Sequence, residues 1–239
     1  MFPGGWRPEP NVPMHVLVAL LLALLAALPA SAQIAPTEAE LRAYGGLHSA
    51  AARGDVADIE KRIGSGENKE ATDSRHRTPL HVAVYQKKYD AARTLIRLGA
   101  DPNKLEIDRY DIITIAAVAN DVPMLKIALE GGGNPKAITS RYDGTALIAA
   151  AHLGHAEVVR MLIAAKAPLD HVNNLQWTAL IESIVLGDGG KNHTGTLRAL
   201  VEAGANVNIP DGSGSTPLRL ARNRGYQEMV VILEKAGAK

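Results

Sequence analysis

The chain has 239 residues, 26 Lys and Arg against 25 Asp and Glu for a net charge of +1, and no cysteine. Near-neutrality argues against a nucleic-acid partner, which requires a marked basic excess, and the missing thiols exclude disulfides and thiol catalysis. With one Phe and 4% aromatic residues, the fold has to rest on Leu, Ile, Val and Ala.

Residues 1–13, rich in Pro and Gly, read as an upstream extension, with Met14 an alternative start. Val16 to Leu28 is an uninterrupted apolar run of 13 residues, the length of a signal h-region and short for a bilayer span. Ala30-Ser31-Ala32 then supplies the small residues of a cleavage site. This predicts an extension and signal over 1–32, a mature domain over 33–239, and delivery to a bacterial periplasm, with full secretion second. The competing reading is a short N-terminal membrane anchor; no stable membrane span is expected once the signal is removed.

Further along, one block recurs, with Thr78, Asp111, Thr145, Thr178 and Thr216 in corresponding positions at intervals of 33, 34, 33 and 38. Another 33 residues back from Thr78 lies Gly45. A fixed period of this size marks a solenoid of stacked helical units. Six repeats follow, at about 37–68, 69–102, 103–135, 136–169, 170–207 and 208–239. The first has Gly45-Gly46 in place of Thr-Pro and opens with a capping box, Thr37-x-x-Glu40, on its first helix.

The fullest copy of the block is Thr78-Pro79-Leu80-His81-Val82-Ala83. Thr can cap free N–H groups, Pro suits the first helical turn, and Leu80 and Ala83 give a small apolar face. His81 and His48, in the fourth position, are expected to hydrogen-bond turn backbone. Second helices are predicted over 91–98, 124–129, 157–164, 196–202 and 228–235 from apolar pairs at helical spacing. Gly66, Gly99, Gly132, Gly204 and Gly237 sit where a helix end needs positive φ. Lys166 takes that place in the fourth repeat, at an expected cost of about 1 kcal/mol. Arg222, Arg224, Gln227 and Glu228 give the last repeat the polar load of a terminal cap.

Phrase and period together resemble the ankyrin repeat family over roughly 37–239. The resemblance implies an all-α solenoid of helix-turn-helix repeats, with β-hairpin fingers in stretches such as Ala100-Asp101-Pro102-Asn103. It also implies non-catalytic binding of another protein through fingertips and the adjoining concave first-helix surface. In this chain that surface would comprise Arg109, Tyr110, Arg141, Tyr142, Asn174 and Trp177, with Tyr85 and Asn120. Arg109-Tyr110-Asp111 and Arg141-Tyr142-Asp143 repeat one triplet in adjacent fingers, and Tyr, Trp and Arg dominate binding hot spots. The competing reading is that the rings pad each finger against its neighbour. His76, Arg109 and Gln176 replace the turn glycine two residues before the cap. The expected molecule is a monomeric scaffold that neutralises or chaperones an envelope enzyme; the rival is a small-ligand or envelope-glycan binder stacking sugars on Tyr and Trp.

Two other stretches resemble chemical motifs. His152-Leu153-Gly154-His155 has two ring ligands but falls where the family turns between helices, so capping is favoured over a metal. Residues 188–194 suggest a phosphate loop, yet Gly190-Lys191 is followed by Asn192, and Val185 stands where the motif needs Gly. The five extra residues of repeat five are expected to enlarge the turn between its helices. No nucleophile–base set, carboxylate pair or nucleotide fingerprint occurs at usable spacing, so no catalysis, cofactor or metal is expected.

Overall fold

The computed structural model describes residues 34–239, so the predicted signal, its cleavage site and the alternative start lie outside the described residues. Thirteen helices occur among the described residues. After a short α1 (Glu38–Ala43), they pair as α2 (Gly46–Arg53) with α3 (Val56–Gly64) and α4 (Pro79–Tyr85) with α5 (Tyr89–Arg97). Next come α6 (Ile112–Val118) with α7 (Val122–Glu130) and α8 (Ala146–His152) with α9 (Ala156–Ala164). The last pairs are α10 (Ala179–Val185) with α11 (Lys191–Glu202) and α12 (Pro217–Asn223) with α13 (Gln227–Lys235). First helices pack on first helices, second on second, and the two helices of each repeat on each other, giving two parallel rows.

The capping chemistry sets the start of each first helix. Oγ1 of Thr78, Thr145, Thr178 and Thr216 accepts the N–H three residues on, and Asp111 does the same with a carboxylate. Pro79 and Pro217 occupy the first turn, where no N–H is needed. Ala83, Ala116, Ala117, Ala150, Ala151, Ala179 and Ala221 are buried between neighbours. Small side chains there allow the close helix approach that larger ones would block.

Between repeats, backbone groups are joined by side chains. His81 Nδ1 lies 3.1 Å from its own Thr78 N–H, and Nε2 reaches the Lys104 carbonyl of the next repeat at 3.1 Å. His48 Nε2 reaches the Arg77 carbonyl at 2.9 Å. Both histidines therefore bond turn backbone, as the sequence predicts, but that of the following repeat. Glu70, Asn103, Asp170 and Asn208 each accept an N–H from one repeat further on.

Four expectations need correction. The Thr37–Glu40 capping box forms, but on α1, an additional helix; the repeat's own first helix is α2, capped by Gly45 without a side-chain bond. The second helices start one to five residues earlier than predicted, because each opens with residues that precede the first apolar residue of its periodic stripe. Three of the extra residues in repeat five lengthen α11 to 12 residues, against nine in the other second helices. Only two enlarge the turn. The fingers are not hairpins with a ladder; among the described residues the one β-bridge is Ile138 with Thr145.

α1 closes the exposed end of the stack. Arg77, wholly buried, donates through Nε to Asp73 at 2.7 Å and through Nη2 to Glu40 of α1. Tyr44 O–H donates to Asp73 at 2.6 Å. Burial would raise the Asp73 carboxyl, but the bonds from Tyr44 and from the Arg77 backbone and side chain hold it below its usual range.

Two stability measurements follow from these positions. Lys166 is left-handed at φ +68°, so Lys166→Gly should raise unfolding free energy by roughly 1 kcal/mol in urea. Burial depresses the His81 imidazole to about 4. Its contribution is complete above pH 6.5, the unfolded value, and is lost as pH falls towards 4, by about 3 kcal/mol in total. His81→Gln should flatten that part of the stability–pH curve.

Candidate functional site

Each finger is a loop closed by backbone hydrogen bonds, such as Glu106 N–H to the Tyr110 carbonyl at 3.1 Å, and reinforced by one side chain. Five residues before each helix cap stands Asp73, Glu106, Ser140, Asn173 or Asp211, whose side-chain oxygen accepts the N–H groups two and four residues on. Asp73 takes Arg75 and Arg77 at 2.9 Å each, and Glu106 takes Asp108 at 2.9 Å and Tyr110 at 3.2 Å. Ser140 takes Tyr142 and Gly144, Asn173 takes Leu175 and Trp177, and Asp211 takes Ser213 and Ser215. The residue two before the cap is left-handed each time, as His76, Arg109, Asp143, Gln176 and Gly214. The side-chain acceptor adds two bonds to the backbone pair that closes each loop. Its signal, a polar acceptor side chain five residues before each cap, is present in the sequence.

This frame changes the meaning of the Arg-Tyr-Asp triplets. Asp111 and Thr145 are 34 residues apart but the triplets only 32, so the two are out of register. Asp111 is the buried cap of α6 and accepts the Thr114 N–H at 2.8 Å, whereas Asp143 is an exposed turn residue aligned with Arg109. Tyr110 is half-buried against the core; Tyr142 is 53% exposed. The arginines cross-brace the fingers: Arg109 pairs with Asp143 at 3.2 Å, and Asp108 takes both Arg75, at 3.0 Å, and Arg141.

Asn174 is exposed and donates its N–H to the Tyr142 carbonyl at 2.9 Å and its side-chain amide to Arg141 O at 3.3 Å. Trp177 is half-buried at the root of the same finger. Tyr85, the last residue of α4, packs on the core with its hydroxyl buried and unpartnered. Asn120 does not join this group. It is left-handed, φ +51°, in the turn between α6 and α7, a helix length of about 10 Å from the finger. It does there what Gly54, Gly154 and Gly225 do in other repeats.

An apolar strip escaped the sequence reading. Leu105, Ile107, Ile138, Tyr142, Val172 and Leu175 are all exposed large hydrophobics, and all lie in the three consecutive fingers at 103–110, 136–144 and 170–177. The only others among the described residues are Ile34 and Val231. Finger residues that pack inward and outward look alike in sequence, so only the fold separates them.

The two histidines of the metal-like stretch serve different neighbours. His155 Nδ1 meets the Ala117 carbonyl at 2.9 Å. His152 Nδ1 lies 3.3 Å from the buried Glu182 carboxylate, whose other oxygen accepts the Asn173 amide at 2.9 Å. The 187–195 segment is braced on both sides, by His193 on the His152 carbonyl at 3.0 Å and by Tyr226 O–H on Gly187 O at 2.8 Å.

Models of the ankyrin repeat match residues 75–106 as one copy and 113–211 as three. The chain is 32% identical over 190 residues to the ankyrin repeat protein YahD of Escherichia coli (strain K12), covering 79% of this chain and 94% of that one. It is 29% identical over 201 residues to the B-cell lymphoma 3 protein homolog of Mus musculus, covering 80% of this chain but 44% of that longer protein. A crystal structure of an ankyrin repeat domain from Acinetobacter baumannii AYE superposes with a TM-score of 0.77 at 42% identity, covering 81% of this chain and 98% of that domain.

The unequal burial of the two finger tyrosines is measurable. Tyr110→Ala should lose roughly 0.8–1.5 kcal/mol of unfolding free energy, about half the value for a fully buried ring. Tyr142→Ala should change it by less than about 0.5 kcal/mol. Urea titrations of the two variants compare them directly.

Proposed function

This chain belongs to the ankyrin repeat family, whose repeats are protein–protein interaction modules, and we propose that it is an exported, non-catalytic scaffold that binds another protein. The observation that carries the reading is the apolar strip on fingers 103–110, 136–144 and 170–177. Monomeric proteins seldom concentrate exposed apolar residues on one side unless they meet a partner, and here six of the eight among the described residues lie on three adjacent fingers. Arg109, Arg141 and Asn174 lie beside it and supply a polar rim, with Tyr142 as the exposed aromatic anchor. Because the fingers are held by internal bonds, docking orders little and loses little entropy.

Export to a bacterial envelope is the location that the 13-residue apolar run and Ala30-Ser31-Ala32 support. There a monomeric scaffold would neutralise or chaperone an envelope enzyme. Among the described residues no helix is long and apolar enough to cross a membrane.

The test pairs capture with location. Tagged mature chain should recover one protein in stoichiometric amount from the envelope fraction, and a folded Tyr142→Ser/Leu175→Ser double variant should recover at least tenfold less. Equal capture by both would move the binding surface elsewhere. No capture, with Trp177 fluorescence shifting on peptidoglycan fragments, would favour the glycan reading instead. Mass spectrometry of the exported protein should find its N-terminus at Gln33.

A further inference from the structure

A relay of polar side chains runs from a helix end to a finger. His152 ends α8, and its Nδ1 lies 3.3 Å from Oε2 of Glu182 on α10 in the next repeat. Glu182 is 3% exposed, and its other oxygen, Oε1, accepts the side-chain amide of Asn173 at 2.9 Å. Asn173, also 3% exposed, accepts the Leu175 and Trp177 N–H groups on its own side-chain oxygen at 3.0 Å each. Each step from the His152 ring to the backbone of finger 170–177 is thus a direct contact.

The residue types single this repeat out. Ser49, Val82, Ile115, Ala149 and Leu220 correspond to Glu182 in the other repeats. The acceptors of the other fingers are Asp73, Glu106, Ser140 and Asp211, none of them an amide. A buried Asn brings an NH₂ group that needs an acceptor, and Glu182 supplies it. The consequence is a buried carboxylate whose Oε2 has the His152 ring within ion-pair distance, yet no hydrogen bond among the described residues.

We propose that His152 is a pH-sensitive latch for finger 170–177: the protonated ring binds Glu182 and holds the finger, and loss of the proton loosens it.

An imidazolium has an N–H on both nitrogens, whereas the neutral ring has one. A small turn of the charged ring makes a charge-assisted bond from Nδ1–H to Oε2. Without that bond a buried carboxylate oxygen stays unpaired, which is costly. Turning Glu182 towards water relieves the cost, but Asn173 then loses its acceptor and its grip on Leu175 and Trp177 slackens. The proton is a ligand that only the latched arrangement uses. It therefore shifts the population towards that arrangement as pH falls through the histidine range.

Other charged groups around α8 are engaged elsewhere or exposed. α6 carries no titratable side chain, and α10 carries only Glu182. α9 carries Glu157 and Arg160, both exposed, and His155 ahead of it meets the Ala117 carbonyl at 2.9 Å. On α11, Arg198 pairs with Glu228, while Lys191 and Glu202 are exposed. His193 of α11 meets the His152 carbonyl at 3.0 Å and pairs with Asp188 at 2.9 Å, so it is the histidine to separate experimentally. The finger concerned carries exposed Val172 and Leu175; on the protein-binding reading above, the latch sets how firmly a partner is held.

Exchange of the Leu175 and Trp177 amides, corrected for each residue's intrinsic rate at each pH, reads the latch without a partner. In the purified protein their protection, relative to Ser213 and Ser215, should rise roughly threefold or more between about pH 7.5 and about pH 5.5. His152→Gln should remove the rise. Glu182→Gln should remove it too, while keeping the oxygen that accepts from Asn173, and His193→Gln should leave it intact. Protection that stays flat or falls with acid in the native chain would overturn the proposal. So would a rise that persists in His152→Gln or vanishes in His193→Gln. Because no partner is needed, failure here would leave the scaffold reading standing, and failure of capture would leave the latch standing.

Discussion

The contact on which everything else depends is the close approach of neighbouring first helices. Each repeat has only a narrow apolar stripe, too small to fold alone, and buries it solely against the repeats on either side. Alanines at 83, 116, 117, 150, 151, 179 and 221 make that approach possible. The same logic creates a problem at each end, where a stripe has no neighbour. α1 answers it at the start through Glu40, which reaches the buried Arg77 and is itself tied to Thr37. At the other end α13 and the polar residues around it face water.

Stacking fixes where the fingers emerge. Each finger runs directly into a helix cap, so the spacing of caps becomes the spacing of fingers. Inside a finger, a backbone pair, one acceptor side chain and one left-handed residue define the loop, and neighbouring loops are tied by Arg109–Asp143 and by Asp108 with its two arginines. Such exposed ion pairs contribute little stability individually. Their consequence is positional: they tie each of these fingers to its neighbour, so the exposed apolar side chains they carry stay on adjacent loops.

Helix caps, glycine ends and period were all legible in the sequence because each is a local rule. A Thr that caps, a Pro in a first turn, or a residue forced to positive φ needs no distant partner to be recognised. The triplets misled because identical words occupied different positions of the period; counting from the caps would have separated Asp111 from Asp143. Asn120 misled in the same way, as a polar residue in a turn where another repeat has Gly154. The extra residues of repeat five could not be divided between turn and helix from sequence, because Lys191, Asn192 and His193 have no apolar rhythm.

By itself, the sequence determined the family, the all-α stack, the caps and the period, since these follow from backbone preferences within a few residues. The tertiary structure decided which finger side chains face water, that Arg77 is sealed by Glu40, and that Glu182 is brought to His152 of the preceding repeat. Burial and pairing are properties of neighbours about 33 residues apart or more. A side chain's surroundings are therefore set only when the repeats stack, and those surroundings are where the binding chemistry lies.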